Sequence, residues 1–357
     1  MPYESSAGGS PSTTFLGRFT DFADFRRHPM IDFDRAMTKE IMANRRSLLL
    51  GSVAAGIALL TACASNETAN TEGSLPRSSA EKDQQSPRTG ILRVPGAELY
   101  YEVRGSGPTL LMISGGLGDA GFYSAIAPAL AEHYRVVTYD RRGNSRSKLT
   151  GPAAQLQVSE QADDAGRLMA AIGPDPGYVF GSSGGAIIAL DLAIHQPDRV
   201  REVIVHEPPL VTLLPDAAQR RSQFDAVYET YRREGPNPAI REFTALTDLD
   251  GGSTADPDAG ADPDAGRRFA GNIGFFLEYE MLPFVDYVPD IPAARTHSTT
   301  IVPARGSASS GQIANLTATA LAERLGTDIT DLPGGHTGYL SDSKEFAERL
   351  LSVLKAG

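Results

Sequence analysis

One pentad in the chain, Gly181-Ser182-Ser183-Gly184-Gly185, fits the G-x-S-x-G pattern that turns a serine hydroxyl into a nucleophile. Glycines flanking a serine allow a turn too tight for larger side chains, and such a turn lifts the hydroxyl clear of the backbone. Register selects Ser183, because a pentad centred on Ser182 would need glycine where Phe180 stands. With 36 glycines in 357 residues, chance alone produces such a pattern often enough that its setting must carry the reading. The apolar run Tyr178-Val179-Phe180 precedes the pentad and a stretch rich in Ala, Ile and Leu follows it, which predicts strand, sharp turn and helix.

A serine hydroxyl needs a base within hydrogen-bond reach. Five of the six histidines lie beyond residue 62. His133 and His195 stand near predicted helix ends, His206 within a predicted strand and His297 just before one, all of them structural or surface places. His336 differs, lying in the glycine-flanked loop Pro333-Gly334-Gly335-His336. The single cysteine, Cys63, excludes an intrachain disulfide, a CxxC zinc site and a cysteine-held iron–sulfur cluster. Neither a nucleotide-binding glycine loop nor a metal-binding histidine pair occurs, so no cofactor or metal is implied. A net charge of −11 argues against a nucleic-acid surface.

These residues need a scaffold, and the sequence from residue 91 onward alternates strand and helix patterns. Runs 91–94 and 99–103 flank Pro95-Gly96 and predict an opening hairpin. Runs 109–114 and 134–140 have the continuous apolar character of buried strands, with helical spacing between them over 121–133. A 3.6-residue stripe over 158–172 predicts a helix, followed by the strand 178–180, the helix 184–196 and the strand 203–206. The alternation resumes as strand 299–304, helix 313–325, strand 328–332 and helix 344–354. The expected class is α/β, with a mostly parallel sheet flanked by helices and ligands at the carboxyl ends of its strands. Residues 91–207 and 298–357 form the expected core.

Residues 208–297 interrupt the pattern and hold 10 of the 26 aromatic residues, which predicts a helical cap with an apolar underside, its 272–287 stretch facing the pocket. Within it, Ala255-Asp256-Pro257-Asp258-Ala259-Gly260 recurs as residues 261–266. Lacking a third acidic ligand and a closing Glu, this repeat reads as a solvated loop rather than a calcium site.

Four further stretches fall in order around the pentad. They are Ser114-Gly115-Gly116-Leu117, Tyr139-Asp140-Arg141-Arg142-Gly143-Asn144-Ser145-Arg146-Ser147, His195-Gln196-Pro197-Asp198-Arg199-Val200 and Pro333-Gly334-Gly335-His336. With them, most of residues 91–357 resembles the α/β-hydrolase superfamily. The resemblance implies the α/β-hydrolase fold, with Ser183 as nucleophile and His336 as base. It also implies an oxyanion hole from the N–H of Gly184 and one from the Gly116-Leu117 pair. The acid is a departure. Its usual loop, 305–311, holds no carboxylate. A minority of the superfamily places the acid one strand earlier, which here is Glu207 in His206-Glu207-Pro208-Pro209. A cap carboxylate such as Asp286 or Asp290, or a serine–histidine dyad without acid, stands beside that choice. The implied activity is a serine hydrolase cleaving an ester or related small apolar acyl compound. The empty acid loop motivates an alternative, a catalytically weak envelope protein that binds a small ligand in the same pocket.

The beginning of the chain reads as an address. Residues 47–62, SLLLGSVAAGIALLTA, are uncharged but too short to span a ~30 Å hydrocarbon core, the length of a signal h-region. Arg45 and Arg46 before it resemble a twin-arginine export signal, and Leu60-Thr61-Ala62-Cys63 resembles a bacterial lipobox, with Cys63 the lipidated residue. The expected organisation is an extension at 1–41 from a start assigned too far upstream, an export and lipoprotein signal at 42–63 and a flexible polar tether at 64–90. The product would be exported and held to the bacterial cell membrane by lipid at Cys63.

Overall fold

The computed structural model of the protein describes residues 87–248 and 264–354. The extension 1–41, the export segment 42–63 with Cys63, most of the tether and most of the acidic repeat lie outside the described residues.

Nine strands form one sheet: β1 (Arg88–Val94), β2 (Ala97–Arg104), β3 (Thr109–Ile113), β4 (Arg135–Tyr139), β5 (Lys148–Leu149), β6 (Gly177–Ser182), β7 (Val200–His206), β8 (Thr300–Gly306) and β9 (Thr330–Leu332). Their order is β1-β2-β4-β3-β6-β7-β8-β9, with β5 paired to the start of β2. Pairings of β2 with β1, β4 and β5 are antiparallel, and the others are parallel. The period-2 geometry of a strand sends alternate side chains to opposite layers. Leu111, Ile113, Val137 and Val179 enter one core, while Leu110, Met112, Val136 and Phe180 enter the other. Because both faces are covered, the central strands read as continuous apolar runs.

On the first face lie α2 (Val158–Ile172) and α3 (Gly184–His195). Eleven of the twelve residues of α3 are buried, which explains its nearly uniform apolar sequence. On the opposite face are α1 (Ala127–Ala131) and α11 (Ser343–Leu354), the latter through Phe346, Leu350 and Leu354. Helix α9 (Ile313–Leu325) covers β8, and α10 (Gly338–Ser341) follows His336.

Two expectations are corrected. In place of one helix over 121–133 there is a 3₁₀ turn, Ala120–Tyr123, and then the short α1, because Pro128 at the first turn lacks an N–H and starts a new helix rather than continuing one. The segment read as a tether to residue 90 ends earlier, since Arg88, Thr89 and Gly90 pair with Val103, Glu102 and Tyr101 at the edge of the sheet. An edge strand tolerates such polar residues because one side stays in solvent.

Between β7 and β8 the chain leaves the sheet as α4 (Ala217–Glu234), α5 (Pro236–Thr247), α6 (Ala265–Phe275), α7 (Met281–Asp286) and α8 (Ile291–Ala294). A single wide π-turn, Phe276–Glu280, joins α6 to α7. Part of the aromatic content of this segment packs on itself, as Phe224 does on Phe243 at 6.2 Å. Phe276, which also packs on Phe243 at 5.2 Å, and Phe284 lie against the loops at the carboxyl end of the sheet.

Candidate active site

The turn between β6 and α3 puts Ser183 at φ +57°, ψ −128°, a conformation costly for any residue with a Cβ. Its neighbours explain how it is held. The Ser183 N–H donates to the His206 carbonyl at 3.0 Å, and its own carbonyl accepts from Ala186 N at 2.9 Å. A Cβ on Gly181 would come within 2.4 Å of the Gly185 carbonyl, and one on Gly185 within 2.2 Å of the Ile113 carbonyl. Gly181 and Gly185 are therefore required by backbone packed on backbone. Gly115 presses on the serine itself, since a Cβ there would lie 2.7 Å from Ser183 Cβ and 3.3 Å from its Oγ.

Glu207 follows β7 directly and also stands at positive φ, +49°, ahead of Pro208, where the αL region is disfavoured. It is completely buried. Its Oε2 lies 2.6 Å from His336 Nδ1, and its Oε1 accepts from Gly306 N at 2.8 Å and from Ser309 Oγ. The loop that holds no carboxylate thus supplies two donors to a carboxylate from the neighbouring strand. Ser309 is fixed in turn by Asn315 Nδ2 at 3.0 Å. Burial alone would raise the Glu207 pKa, but the hydrogen bond from His336, the two nearby imidazoles and the Ser309 hydroxyl outweigh it and bring it down to about 2. Glu207 is ionised at neutral pH, and the imidazole it bonds, His336, is 9% exposed.

His206 is a second, unexpected imidazole. It stacks on His336 at 6.4 Å between ring centres, bonds Ser182 Oγ through Nδ1 at 3.2 Å and packs against Phe180 and Phe346. Burial, with the His336 charge adding to it and Glu207 opposing, lowers its pKa to about 4, so it is neutral at pH 7.

Ser183, Glu207 and His336 thus stand at the carboxyl ends of β6, β7 and β9. The imidazole link to the acid is made, while no hydrogen bond joins Ser183 Oγ to the His336 ring among the described residues, a bond that unliganded sites often close only with substrate. The cap carboxylates are engaged elsewhere: Asp286 pairs with Arg221, and Asp290 Oδ1 accepts from Ala293 N at 2.9 Å. Among the described residues no group of three or more His, Cys, Asp or Glu side chains is arranged to hold a metal.

The expected oxyanion donors are framed by the cap. A Cβ on Gly116 would lie 2.4 Å from the Phe276 ring, and one on Gly184 2.7 Å from that of Phe284. Gly184 is the first residue of α3, where N–H groups have no partner within the helix. Leu117 contributes its carbonyl to Asn272 Nδ2 at 3.1 Å, a link between the loop after β3 and α6 that no sequence signal marked.

Residues 108–247 match the family described as the alpha/beta hydrolase fold. The hydrolase YraK of Bacillus subtilis strain 168 is 41% identical over 270 residues, which cover 74% of this chain and 96% of YraK. A thermophilic esterase from Thermogutta terrifontis superposes with a TM-score of 0.60 at 18% identity, over 75% of this chain and 98% of its own. A hydrolase from Pseudomonas aeruginosa superposes with a TM-score of 0.58 at 22% identity, over 74% and 98% respectively. At such identities the structural likeness is one of fold. Together with the extended identity to YraK, the sheet order and the strained serine turn, the matches make this chain a member of the α/β-hydrolase family and a hydrolase.

Proposed function

We propose that the protein is a serine hydrolase that cleaves an ester or related small apolar acyl compound through a covalent acyl-enzyme. Ser183 Oγ attacks the carbonyl carbon as His336 takes its proton, and the carbonyl oxygen becomes an oxyanion facing the N–H groups of Gly184 and the Gly116-Leu117 pair. The protonated His336 then gives its proton to the leaving alkoxide, the C–O bond breaks and the alcohol departs. Water, deprotonated by the same imidazole, attacks the ester on Ser183, the acyl–Oγ bond breaks as the imidazolium returns its proton to Oγ, and the acid is released. Glu207 holds His336 by its Nδ1–H and stabilises the imidazolium formed in both steps. The observation that carries the reading is the 2.6 Å contact between His336 Nδ1 and a buried, ionised Glu207, one strand away from a serine held at φ +57°. Phe276 and Phe284 beside the donors favour an apolar acyl group. The ligand-binding alternative was motivated by the empty acid loop, and it loses that motive because a carboxylate reaches the imidazole from β7.

The reading extends to location, with export through the paired arginines and attachment to the bacterial membrane by lipid on Cys63. Its test at the site is labelling with a fluorophosphonate, followed by peptide mass mapping. The expected adduct is on Ser183, absent in Ser183→Ala, together with p-nitrophenyl ester hydrolysis that the same substitution abolishes. An unmodified Ser183 under conditions that label a control esterase, or hydrolysis that survives Ser183→Ala, contradicts it.

A further inference from the structure

Directly beneath the loop after β3 lies a charged pair that the proposed chemistry does not use. Arg141, 1% exposed, donates Nη2 to the carbonyls of Gly115 at 3.1 Å and Gly116 at 3.0 Å. The same guanidinium grips Glu280, through Nη1 to Oε1 and Nη2 to Oε2, the latter at 3.1 Å, and bonds Gln161 Oε1 at 2.9 Å. Glu280, wholly buried at the end of the π-turn, also accepts from Asn144 Nδ2 at 3.3 Å.

We propose that the Arg141–Glu280 pair is a positioning device for the oxyanion hole, setting the direction of the Gly116 and Leu117 N–H groups and coupling it to the cap. The inference rests on the serine-hydrolase reading and adds the residues that aim its donors. The geometry is that of the peptide unit. No peptide bond here is cis, and in a trans unit the C=O and the following N–H point in opposite directions. Holding the Gly115 and Gly116 carbonyls on one guanidinium nitrogen therefore turns the N–H groups of Gly116 and Leu117 away from it. These are the two N–H groups expected of this loop.

Stability alone gives little reason for such a pair. Desolvating two charges offsets much of their attraction, and an apolar pair of similar size serves a core as well or better. The guanidinium is also imperfectly satisfied, since its Nε is buried without a partner among the described residues, while Nη2 is committed to the loop and Glu280 and Nη1 to Glu280 and Gln161. It is oriented for the loop. Glu280 sits between the two aromatic contacts the cap makes with the hole, Phe276 on Gly116 and Phe284 on Gly184, and Arg141 lies 5.9 Å from the centre of the Phe284 ring. One short stretch of cap, 276–284, thereby touches both halves of the hole and carries the anion that fixes Arg141. π-turns recur at functional sites because they displace a side chain from the regular helical row, and this one brings Glu280 onto Arg141.

The test compares Arg141→Lys, which keeps the charge but lacks the second terminal nitrogen that grips Glu280 and Gln161 while the first holds the carbonyls, and Glu280→Gln, which keeps the size but not the charge, with the wild type. Hydrolysis of a p-nitrophenyl ester is expressed as kcat per serine titrated to completion with fluorophosphonate, so that misfolded molecules drop out of the number. Each variant should lower kcat per labelled serine by about 10- to 100-fold with KM changed less than about 3-fold, because a donor misplaced by a fraction of an ångström is lost chiefly in the transition state. Asp164→Asn is the comparison for a structural role. It breaks the neighbouring buried pair with Arg142, whose guanidinium touches Asp164, Glu160 and the Pro95 carbonyl but not the glycine loop. That variant should lower the melting temperature and leave kcat per labelled serine within about 2-fold. If Arg141→Lys and Glu280→Gln behave like Asp164→Asn, the positioning role is overturned while the serine-hydrolase reading stands. Should either variant fail to accumulate as folded protein, Glu280→Asp, one methylene shorter with both charges kept, is judged by the same kcat criterion. Hydrolysis that survives Ser183→Ala would defeat the hydrolase reading itself.

Discussion

At the scale of single residues, the acid depends on its neighbours as much as on its charge. Ser309 donates to Glu207, and removing the hydroxyl leaves a fully buried carboxylate with one donor fewer. Ser309→Ala should cost about 1 to 3 kcal/mol of stability in urea titrations and lower kcat less than loss of Glu207 would, about 3- to 10-fold. Asp286→Asn, which touches only the exposed pair with Arg221, should leave kcat unchanged. His206 predicts a pH dependence. With its pKa held at about 4 against the ordinary 6.5, the unfolded chain binds a proton that the folded chain refuses, so stability falls as pH drops from about 6.5 to about 4, by on the order of 3 kcal/mol. Glu207 adds a second, more acid window, in which its contribution is present above about 4.5 and lost toward about 2. His206→Phe should flatten the difference between urea midpoints at pH 6.5 and pH 5, whereas an unchanged difference would assign it to other groups. Ser183, His336 and, beside other choices for the acid, Glu207 can be singled out in the sequence because each belongs to a short motif. Gly306, Ser309, Arg141 and Glu280 cannot, because a backbone N–H carries no sequence signature and Arg141 and Glu280 stand 139 positions apart.

At the scale of elements, local pattern predicts well where one physical cause dominates. Helices α2 and α9 span 158–172 and 313–325, the ranges their sequence patterns predict, because in each the apolar positions recur at helical spacing and glycine ends the run at 173 and 326. The segment around Pro128 broke the pattern, since the apolar spacing of 121–133 is helical but a missing N–H interrupts it. The strand β6 runs on to Ser182 rather than ending at Phe180, because Gly181 and Ser182 still pair with β7 before the turn. Elements also invert ordinary propensity. Alanine at a helical glycine usually stabilises by about 1 kcal/mol, yet Gly185→Ala should destabilise by about 1 to 3 kcal/mol or more, since its Cβ would meet the Ile113 and Ser114 carbonyls. Thermal unfolding decides between the two signs.

At the scale of the whole molecule, the sheet brings together three chain segments whose ends, Ser183 and His336, lie more than 150 residues apart, and the cap closes over them. The class and the parallel sheet followed from alternating runs, whereas the exchange of β3 and β4 in the sheet order has no local signal and became visible only in the pairing. Location belongs to this scale too. In a lipoprotein-competent bacterium the full chain should fractionate with membranes and be released by detergent, and Cys63→Ala should abolish lipid incorporation, as followed with a radiolabelled fatty acid. A processed product that begins at Cys63 is expected, and a cytosolic chain that retains residues 1–62 would contradict the export reading.

The central claim is that Glu207, from an unusual strand, completes the serine site. The most direct measurement is the pre-steady-state acylation rate of Glu207→Gln with a p-nitrophenyl ester, followed by stopped flow and normalised to serines titrated with fluorophosphonate. The amide preserves size and removes the charge that stabilises the imidazolium, so acylation should slow by about 10² to 10⁴-fold in a protein that remains folded, while Ser183→Ala should give no acyl-enzyme at all. Acylation within about 3-fold of the wild type would contradict the account and leave His336 without its acid.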